Sequence, residues 1–560
     1  MSKGAARLAA LTAFAAAACA AQAQVVPQLP PTIDPGRIQD RIEPPRAPRG
    51  AEIPQLQEPG REAPESLRST RVTLKSVRFE GVTALPVERL QAQAAPYVGH
   101  EVAVGDLFDL ARGLTATYRS QGYILSQVVV PPQSLADGVL TLRAVEGYVA
   151  NVRVENGGDA RDTLAALGEK IRASRPLQAA VLERYLLIAN ELPGVQVRSV
   201  LAPSQAPGAA DLILLVSPKR VEGYVALDNY GSRYLGPGQL SASVAVNRVA
   251  GDDQLRVLAT AAGPSEMGYG ELAYNRVLNT EGLRLGANVS STHTRPGDTL
   301  EPFEIRGRAD AAGVSLAYPF LRSRNSSLLA RAAFDYRDID SDILGTRVIE
   351  DRIRALRLGV AWLQLDRLDG QNTLYVEYSR GLGGTKQDDP LKSRAGASGE
   401  FSKATFDYER FQPLGGSFGV TAGLGGQWTS EPLLSSEQFA LGGRRFGRAY
   451  EPAELIGDRA LAARVEPAYF GRGGGGGGLQ SWQLYGFWDG GTVWYEDDPV
   501  SGQRPAQSLA SAGFGTRLFA FRTVSATLEA AWPLTRPVAS YVADGKGNDV
   551  RILASIVARF

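Results

Sequence analysis

From about residue 220 to the last residue, apolar and polar side chains alternate through one short segment after another. Leu240, Ala242, Val244 and Val246 interleave with Ser241, Ser243, Ala245 and Asn247. Leu283, Leu285, Ala287 and Val289 interleave with Arg284, Gly286, Asn288 and Ser290, and Leu374, Val376 and Tyr378 with Tyr375, Glu377 and Ser379. Val524, Ala526, Leu528 and Ala530 do the same with Ser525, Thr527 and Glu529. Successive side chains of a strand point to opposite faces, so each segment has one apolar and one polar face. Repeated over residues 220–560, this suits a closed barrel with lipid outside and a wet lumen. At about twenty residues per strand and connection, the segment holds roughly sixteen antiparallel strands. A soluble sandwich or propeller also alternates, but it needs no export signal and seldom ends on an aromatic. Here Ile552, Ala554, Ile556, Ala558 and Phe560 share one face of the last strand.

An export signal is present. Lys3 and Arg7 form a basic start, residues 8–18 an apolar core, and Ala21-Gln22-Ala23 a small-x-small cleavage site. The apolar core is too short to span a bilayer, and no later apolar run is long enough. Cleavage after Ala23 leaves a cysteine-free mature chain, because Cys19 is the sole cysteine. Cleavage before Cys19, as in a lipoprotein, fits less well, since Ala16 stands where Leu is usual. The 60 Lys and Arg against 59 Asp and Glu leave no basic excess, which argues against nucleic-acid binding. The two histidines, His100 and His293, lie far apart, so neither a metal centre nor a Ser-His-Asp set is indicated and no cofactor is called for. Gly415-Gly416-Ser417-Phe418-Gly419 has the spacing of a nucleophile elbow, but a strand follows it where a helix is required, so it reads as a hairpin turn. The glycine run at 473–478 lacks the Lys-Ser/Thr of a phosphate loop and reads as a turn. The chain is not expected to be an enzyme.

Before the barrel the chain changes character twice. Residues 24–70 are rich in Pro and poor in aromatics, so they build no packed core. One helical island stands out at 34–43: Asp34 can cap, Pro35 suits the first helical position, and Ile38 and Ile42 lie four apart. From Arg71 two units of order β-α-α-β-β follow each other, an internal repeat. In the first, a strand at 72–79 precedes a helix at 85–94 and a helix carrying the stripe Leu107, Leu110, Ala111, Leu114 and Tyr118, closed by Gly122. A strand at 124–130, an Asp137-Gly138 turn and a strand at 139–145 complete it. In the second, a strand at 149–155 leads to helices around 164–171 and 177–192, then strands at 195–201 and 210–217.

The stretch Leu441-Gly442-Gly443-Arg444-Arg445-Phe446-Gly447-Arg448-Ala449-Tyr450-Glu451-Pro452 breaks the alternation and reads as a long loop folded back into the barrel. Some forty residues on, Ser481, Gln483, Tyr485, Phe487 and Asp489 share one strand face, and Trp482, Leu484, Gly486 and Trp488 the other. The second set suits lipid, so Asp489 is expected to point into the lumen. A charge there needs a partner, and the planar fork of Arg448 can meet a carboxylate through two bonds.

These units resemble POTRA domains, the periplasmic modules of outer-membrane assembly and secretion proteins. Gly122-Tyr123, Pro131-Pro132-Gln133 and Glu146-Gly147 are similar to the first domain of the two-partner secretion transporters, the TpsB or haemolysin-activator type. Leu182-Glu183-Arg184 and Leu192-Pro193-Gly194-Val195 are similar to their second. Asp228-Asn229-Tyr230-Gly231-Ser232-Arg233 and Gly251-Asp252-Asp253 match the barrel entrance, and Phe560 matches the C-terminal barrel-assembly signal. Gly447-Arg448-Ala449-Tyr450 matches the family's Val-Arg-Gly-Tyr loop tip at Arg and Tyr, with different flanks.

The resemblance implies α+β periplasmic POTRA repeats followed by an all-β transmembrane barrel of about 16 antiparallel strands. Its divisions would be a signal peptide at 1–23, a plug-helix candidate and linker at 24–70, POTRA units at 71–147 and 148–219, and the barrel at 220–560. It implies an outer-membrane pore of a Gram-negative cell that moves an unfolded secreted exoprotein, of adhesin or haemolysin type, to the surface. The POTRA units would hold that partner in extended form by adding its strand to a sheet edge. Outer-membrane lipid and the barrel-assembly machinery would be the other partners. The implied site is Gly447, Arg448 and Tyr450 at the loop tip with Asp489 on the wall, and Ile38 and Ile42 on the plug. A barrel-assembly factor of the BamA type is the alternative, although it usually carries more POTRA units; a passive porin would lack the repeat.

Overall fold

The computed structural model describes residues 29–42, 65, 68–474, 478–496 and 505–560. The expected signal peptide, Cys19, nearly all of the linker beyond Ile42 and residues 475–477 of the glycine run lie outside the described residues.

Sixteen antiparallel strands close into a barrel, from Val221–Asp228 round to Arg551–Arg559, which pairs back onto the first. The period-two rule sorts the wall. Leu240 and Val244 are 48% and 43% exposed on the outside, while Ser243 and Asn247 are 4% and 0% exposed within. Such an outer face is stable only where lipid covers it. The wall is uneven in length: Val221–Asp228 has 8 residues and Thr346–Leu365 has 20. The closing seam is short, running from Ser555 against Asp228 to Arg559 against Tyr224. Beyond it Phe560 and Gly223 exchange backbone hydrogen bonds of 3.0 and 3.1 Å. A Cβ on Gly223 would lie 2.6 Å from the Phe560 ring, so the last side chain fits only against glycine.

Two α+β units precede the barrel. In the first, Ser76–Glu80 pairs parallel with Val139–Val145, which also pairs antiparallel with Gln127–Val129. In the second, Tyr148–Glu155 and Val195–Pro203 flank Ala209–Pro218 in the same arrangement. Helices Val87–Ala94 and Val104–Ser120 cover the first sheet, and Arg161–Arg172 and Ala179–Asn190 the second. The buried face of Val104–Ser120 is the predicted stripe, Leu107, Leu110, Ala111, Leu114 and Tyr118.

Three element boundaries differ from the sequence reading. The strand expected at 72–79 is two strands, Arg71–Thr73 and Ser76–Glu80. Leu74 turns fully into the core between them, and Lys75 N–H donates to Gly138 O at 2.7 Å, which redirects the chain. Arg71–Thr73 instead pairs with Glu101–Ala103, a strand the alternation did not reveal. The strand expected at 124–130 shrinks to Gln127–Val129, because Tyr123 and Ser126 N–H groups donate into turns. The island at 34–43 is not one helix: it is two 3-10 turns, Pro31–Ile33 and Pro35–Arg37, and a single α turn, Ile38–Arg41. Gly415 and Gly416, at φ 93° and 59°, carry a hairpin turn into Phe418–Thr429, as the strand reading of Gly-Gly-Ser-Phe-Gly requires.

The second unit sits on the near rim of the barrel through ion pairs. Glu191 meets Arg322 at 2.5 Å and also Arg284. Glu281, in the turn after Met267–Val277, meets Lys170 at 3.0 Å and accepts from Tyr185 Oη at 3.0 Å. Burial alone would raise the Glu281 carboxyl, but the hydrogen bonds from Lys170 and Tyr185 outweigh it and hold it below its ordinary range.

Candidate functional site: a loop anchored inside the barrel

The loop between Phe418–Thr429 and Arg459–Arg472 does not lie over the mouth. It folds into the barrel as a short hairpin, Phe439–Leu441 against Leu455–Gly457, with the arginine-rich tip between. Two backbone features shape that tip. Gly447 sits at φ 89°, where a Cβ would be 2.5 Å from Leu509 Cδ1, so glycine is required. Ala449, where the family motif has glycine, keeps negative φ and is fully buried, so the alanine costs no backbone strain.

Arg448 is 4% exposed. Its Nε lies 2.9 Å from Asp489 Oδ2, a close ion contact off the N–H axis. Its Nη1 donates to Glu529 Oε1 at 2.9 Å and its Nη2 to Glu466 Oε2 at 2.9 Å. The guanidinium also stacks over the Phe487 ring, 3.9 Å from its centroid. The expected two-bond pairing of Arg448 with Asp489 is therefore corrected: the fork is shared among three carboxylates on three strands. Asp489 is 0% exposed and faces inward, as its strand register demands. Its Oδ1 accepts the backbone N–H groups of Gly447 at 2.8 Å and Arg448 at 3.1 Å, and the Ser511 hydroxyl. Asp489 thus holds both the backbone and the charge of the tip. Tyr450 is fully buried and donates from Oη to Arg536 O at 3.0 Å, tying the tip to the loop between Val524–Pro533 and Arg551–Arg559.

Glu466, Glu529, Phe487, Ser511 and Arg517 are absent from the sequence-based site. Arg517 neutralises Glu466 from the other side at 2.5 Å, and Tyr485 Oη donates to Glu529 at 2.8 Å. A search for acids on inward-facing strand positions would have found both glutamates, since each shares the parity of buried neighbours.

Ile38, at 2% exposure, packs with Ile33 against Leu258, Met267 and Tyr269 on the inner wall, and Ile42 borders that cluster. Asp34 caps as its position implies, accepting from Gly36 N–H at 2.9 Å. The segment 31–42 thus occupies the lumen.

Barrel, paired α+β units and inward loop together define an outer-membrane protein of the POTRA-barrel class. Residues 72–147 match the POTRA domain of ShlB type. Residues 211–518, more than half of the chain, match the haemolysin secretion/activation protein ShlB/FhaC/HecB, and the chain belongs to that family. It is 25% identical to the heme/hemopexin transporter protein HuxB of Haemophilus influenzae (strain 86-028NP) over 66% of this chain and 67% of the relative. It is also 25% identical to the outer membrane transporter CdiB of Dickeya dadantii (strain 3937), over 85% of each. The fold is similar to that of CdiB from Escherichia coli, with TM-score 0.69 and 19% identity, covering 91% of this chain and 93% of that one. BamA from Haemophilus ducreyi lacking POTRA domains 1-3 is more distant, at TM-score 0.50 and 13% identity over 87% of this chain and 100% of that one. The protein is a two-partner secretion transporter of the outer membrane with its POTRA region in the periplasm, and its family is one of secretion proteins rather than of enzymes.

Proposed function

We propose that the transporter captures one unfolded exoprotein, of adhesin or haemolysin type, and conducts it through the barrel to the cell surface. The observation that carries this reading is that both periplasmic sheets are open, each of three strands with unpaired edges. Among the described residues, Ser76–Glu80 and Tyr148–Glu155 are edges that pair on one side only, leaving a free row of N–H and C=O groups. An extended guest satisfies such an edge by adding a strand, which recognises backbone first and side chains second. Arg448, with Gly447, Tyr450 and Asp489, acts as the anchor that positions the translocation loop. Residues 31–42, with Ile38 and Ile42 toward the wall, act as the plug that must leave during transport. Phe560 serves as the signal read by the barrel-assembly machinery. No nucleotide is invoked: folding of the exoprotein outside draws the chain through.

A photo-crosslinking residue at Arg78, in the intact transporter in cells, tests the reading. Capture of a single exoprotein supports it. Capture of many barrel precursors would instead indicate an assembly factor, and capture of nothing a passive porin.

A further inference from the structure

The loop carries a second ionic anchor of opposite sign, on a different part of the wall. Glu437, in the 3-10 turn Ser435–Glu437, is 1% exposed. Arg357 Nη2 and Nη1 donate to its two carboxylate oxygens at 2.7 and 3.2 Å, and Lys403 Nζ lies 2.8 Å from Oε2. Lys403 also donates to the Glu437 carbonyl at 2.7 Å. Arg357 has other acceptors, Asp335 at 2.8 Å and Ser379 Oγ at 2.9 Å. Glu437 is the one carboxylate on Lys403 among the described residues.

This turn is also where the luminal segment attaches. The buried Arg37 guanidinium donates to the carbonyls of Gln438, at 2.8 Å, and Ser435. Asp34 Oδ2 accepts from Ser435 Oγ at 2.7 Å. Among the described residues the segment has one ion pair with the wall, Asp40 to Arg337 at 3.2 Å. Two carbonyls accept a single guanidinium only while the turn that carries them holds its shape. That shape is held from behind by Glu437.

We propose that Glu437 is a positioning residue whose pairing with Arg357 and Lys403 fixes the 435–438 turn as the socket for Arg37, so that this latch, and not the Arg448 anchor, keeps the luminal segment seated. The inference rests on reading residues 31–42 as a plug. Glu437→Gln leaves the buried Lys403 with neutral acceptors only, and a buried cation without its carboxylate is strongly unfavourable. The turn must move to let water or another acceptor in, and the socket is lost.

The test uses the full-length protein in planar bilayers and in outer membranes. Glu437→Gln, Arg37→Gln and their double variant should each raise open probability by roughly ten-fold, the double no further than the singles, as expected of one shared device. Heat-resistant barrel mobility should be unchanged. An independent readout is disulfide formation between Asp34→Cys and Ser435→Cys in a Cys19→Ser background, which Glu437→Gln should reduce and Arg448→Ala should not. Wild-type conductance and full cross-linking in Glu437→Gln would overturn the latch, while a rise on deleting residues 31–42 kept the plug reading. Unchanged conductance on that deletion would overturn the plug reading, and the cross-link would then decide the latch alone. Lost cross-linking in Arg448→Ala at the level of Glu437→Gln would also overturn it, because the two anchors would not be separate.

Discussion

Replacing Arg448 by Ala removes one cation from among three carboxylates. The cluster holds Arg448 and Arg517 against Asp489, Glu466 and Glu529, so it stands one negative charge in excess and the variant two. Deleting one partner of a buried ion pair costs about 3–5 kcal/mol. The wet-lumen value of about 1 kcal/mol or less does not apply, since Arg448 is 4% exposed. Each acid keeps some donors: Asp489 the tip backbone and Ser511, Glu529 Tyr485, and Glu466 Arg517. That places the loss near the lower end, about 3 kcal/mol, or roughly a hundred-fold weaker docking of the loop. Asp489→Ala loses the charge contact and also strands two buried N–H groups, at about 1–3 kcal/mol each. Asp489→Asn separates these effects, because its amide oxygen can still accept from Gly447 and Arg448. It should therefore be milder than Asp489→Ala. Arg448→Lys should fall close to Arg448→Ala, since one ammonium cannot span three carboxylates as a fork does. The assays are exoprotein in culture supernatant, heat-resistant barrel mobility and protease accessibility of residues 441–452. Secretion and loop protection should fall while the barrel persists. Strictly additive losses in the Arg448/Asp489 alanine cycle would refute the contact as a functional unit, and so would normal secretion from Arg448→Ala.

Deleting residues 71–147 should abolish secretion and leave the barrel inserted, because that unit shares no strand with the barrel; supernatant and outer-membrane fractions report the two. Gly223→Val should lower the heat-resistant fraction on gels, since its Cβ would meet Ser243 O at 2.3 Å and the Phe560 ring. The first POTRA unit should lose stability in acid. Burial raises the Glu146 carboxyl, but hydrogen bonds from Thr83, Ala84 and Tyr118 outweigh it and hold it below its ordinary value near 4.5. A depressed carboxylate contributes stability above its unfolded value and loses it as pH falls through the folded one. The melting temperature should therefore fall as the pH drops below 4.5 in the wild type, and fall less in Glu146→Gln.

What the sequence made legible was local. A strand's period is two wherever it lies, so the inward face of Asp489 and the outward face of Leu484 and Trp488 followed from spacing alone. The β-α-α-β-β order followed from the stripe on residues 107–118 and the glycines that end it. What stayed hidden depends on which strands become neighbours. Glu466 and Glu529 reach Arg448 only because the strands Arg459–Arg472, Leu479–Trp494, Ala506–Ala520 and Val524–Pro533 stand side by side in register. The luminal segment shows the same division. Asp34 and Pro35 announce a helix start, but its length is set by the wall, where Ile339 and Pro35 pack against Gly36 and Gly307. The split at Leu74 likewise follows from a core contact that no window of residues 72–79 contains.

The uneven wall has a consequence for the bilayer itself. A tilted strand advances about 2.5 Å along the barrel axis per residue, so 8 residues of Val221–Asp228 reach about 20 Å and 20 residues of Thr346–Leu365 about 50 Å. The apolar band of such barrels is about 25 Å tall. On the long side the strands cross the membrane and continue beyond it as a paired rampart. At the seam they fall short, and the lipid there must thin to meet them, at a cost per ångström that a thinner membrane avoids. The barrel therefore pinches its membrane on one side only, beside the short seam where its first and last strands pair.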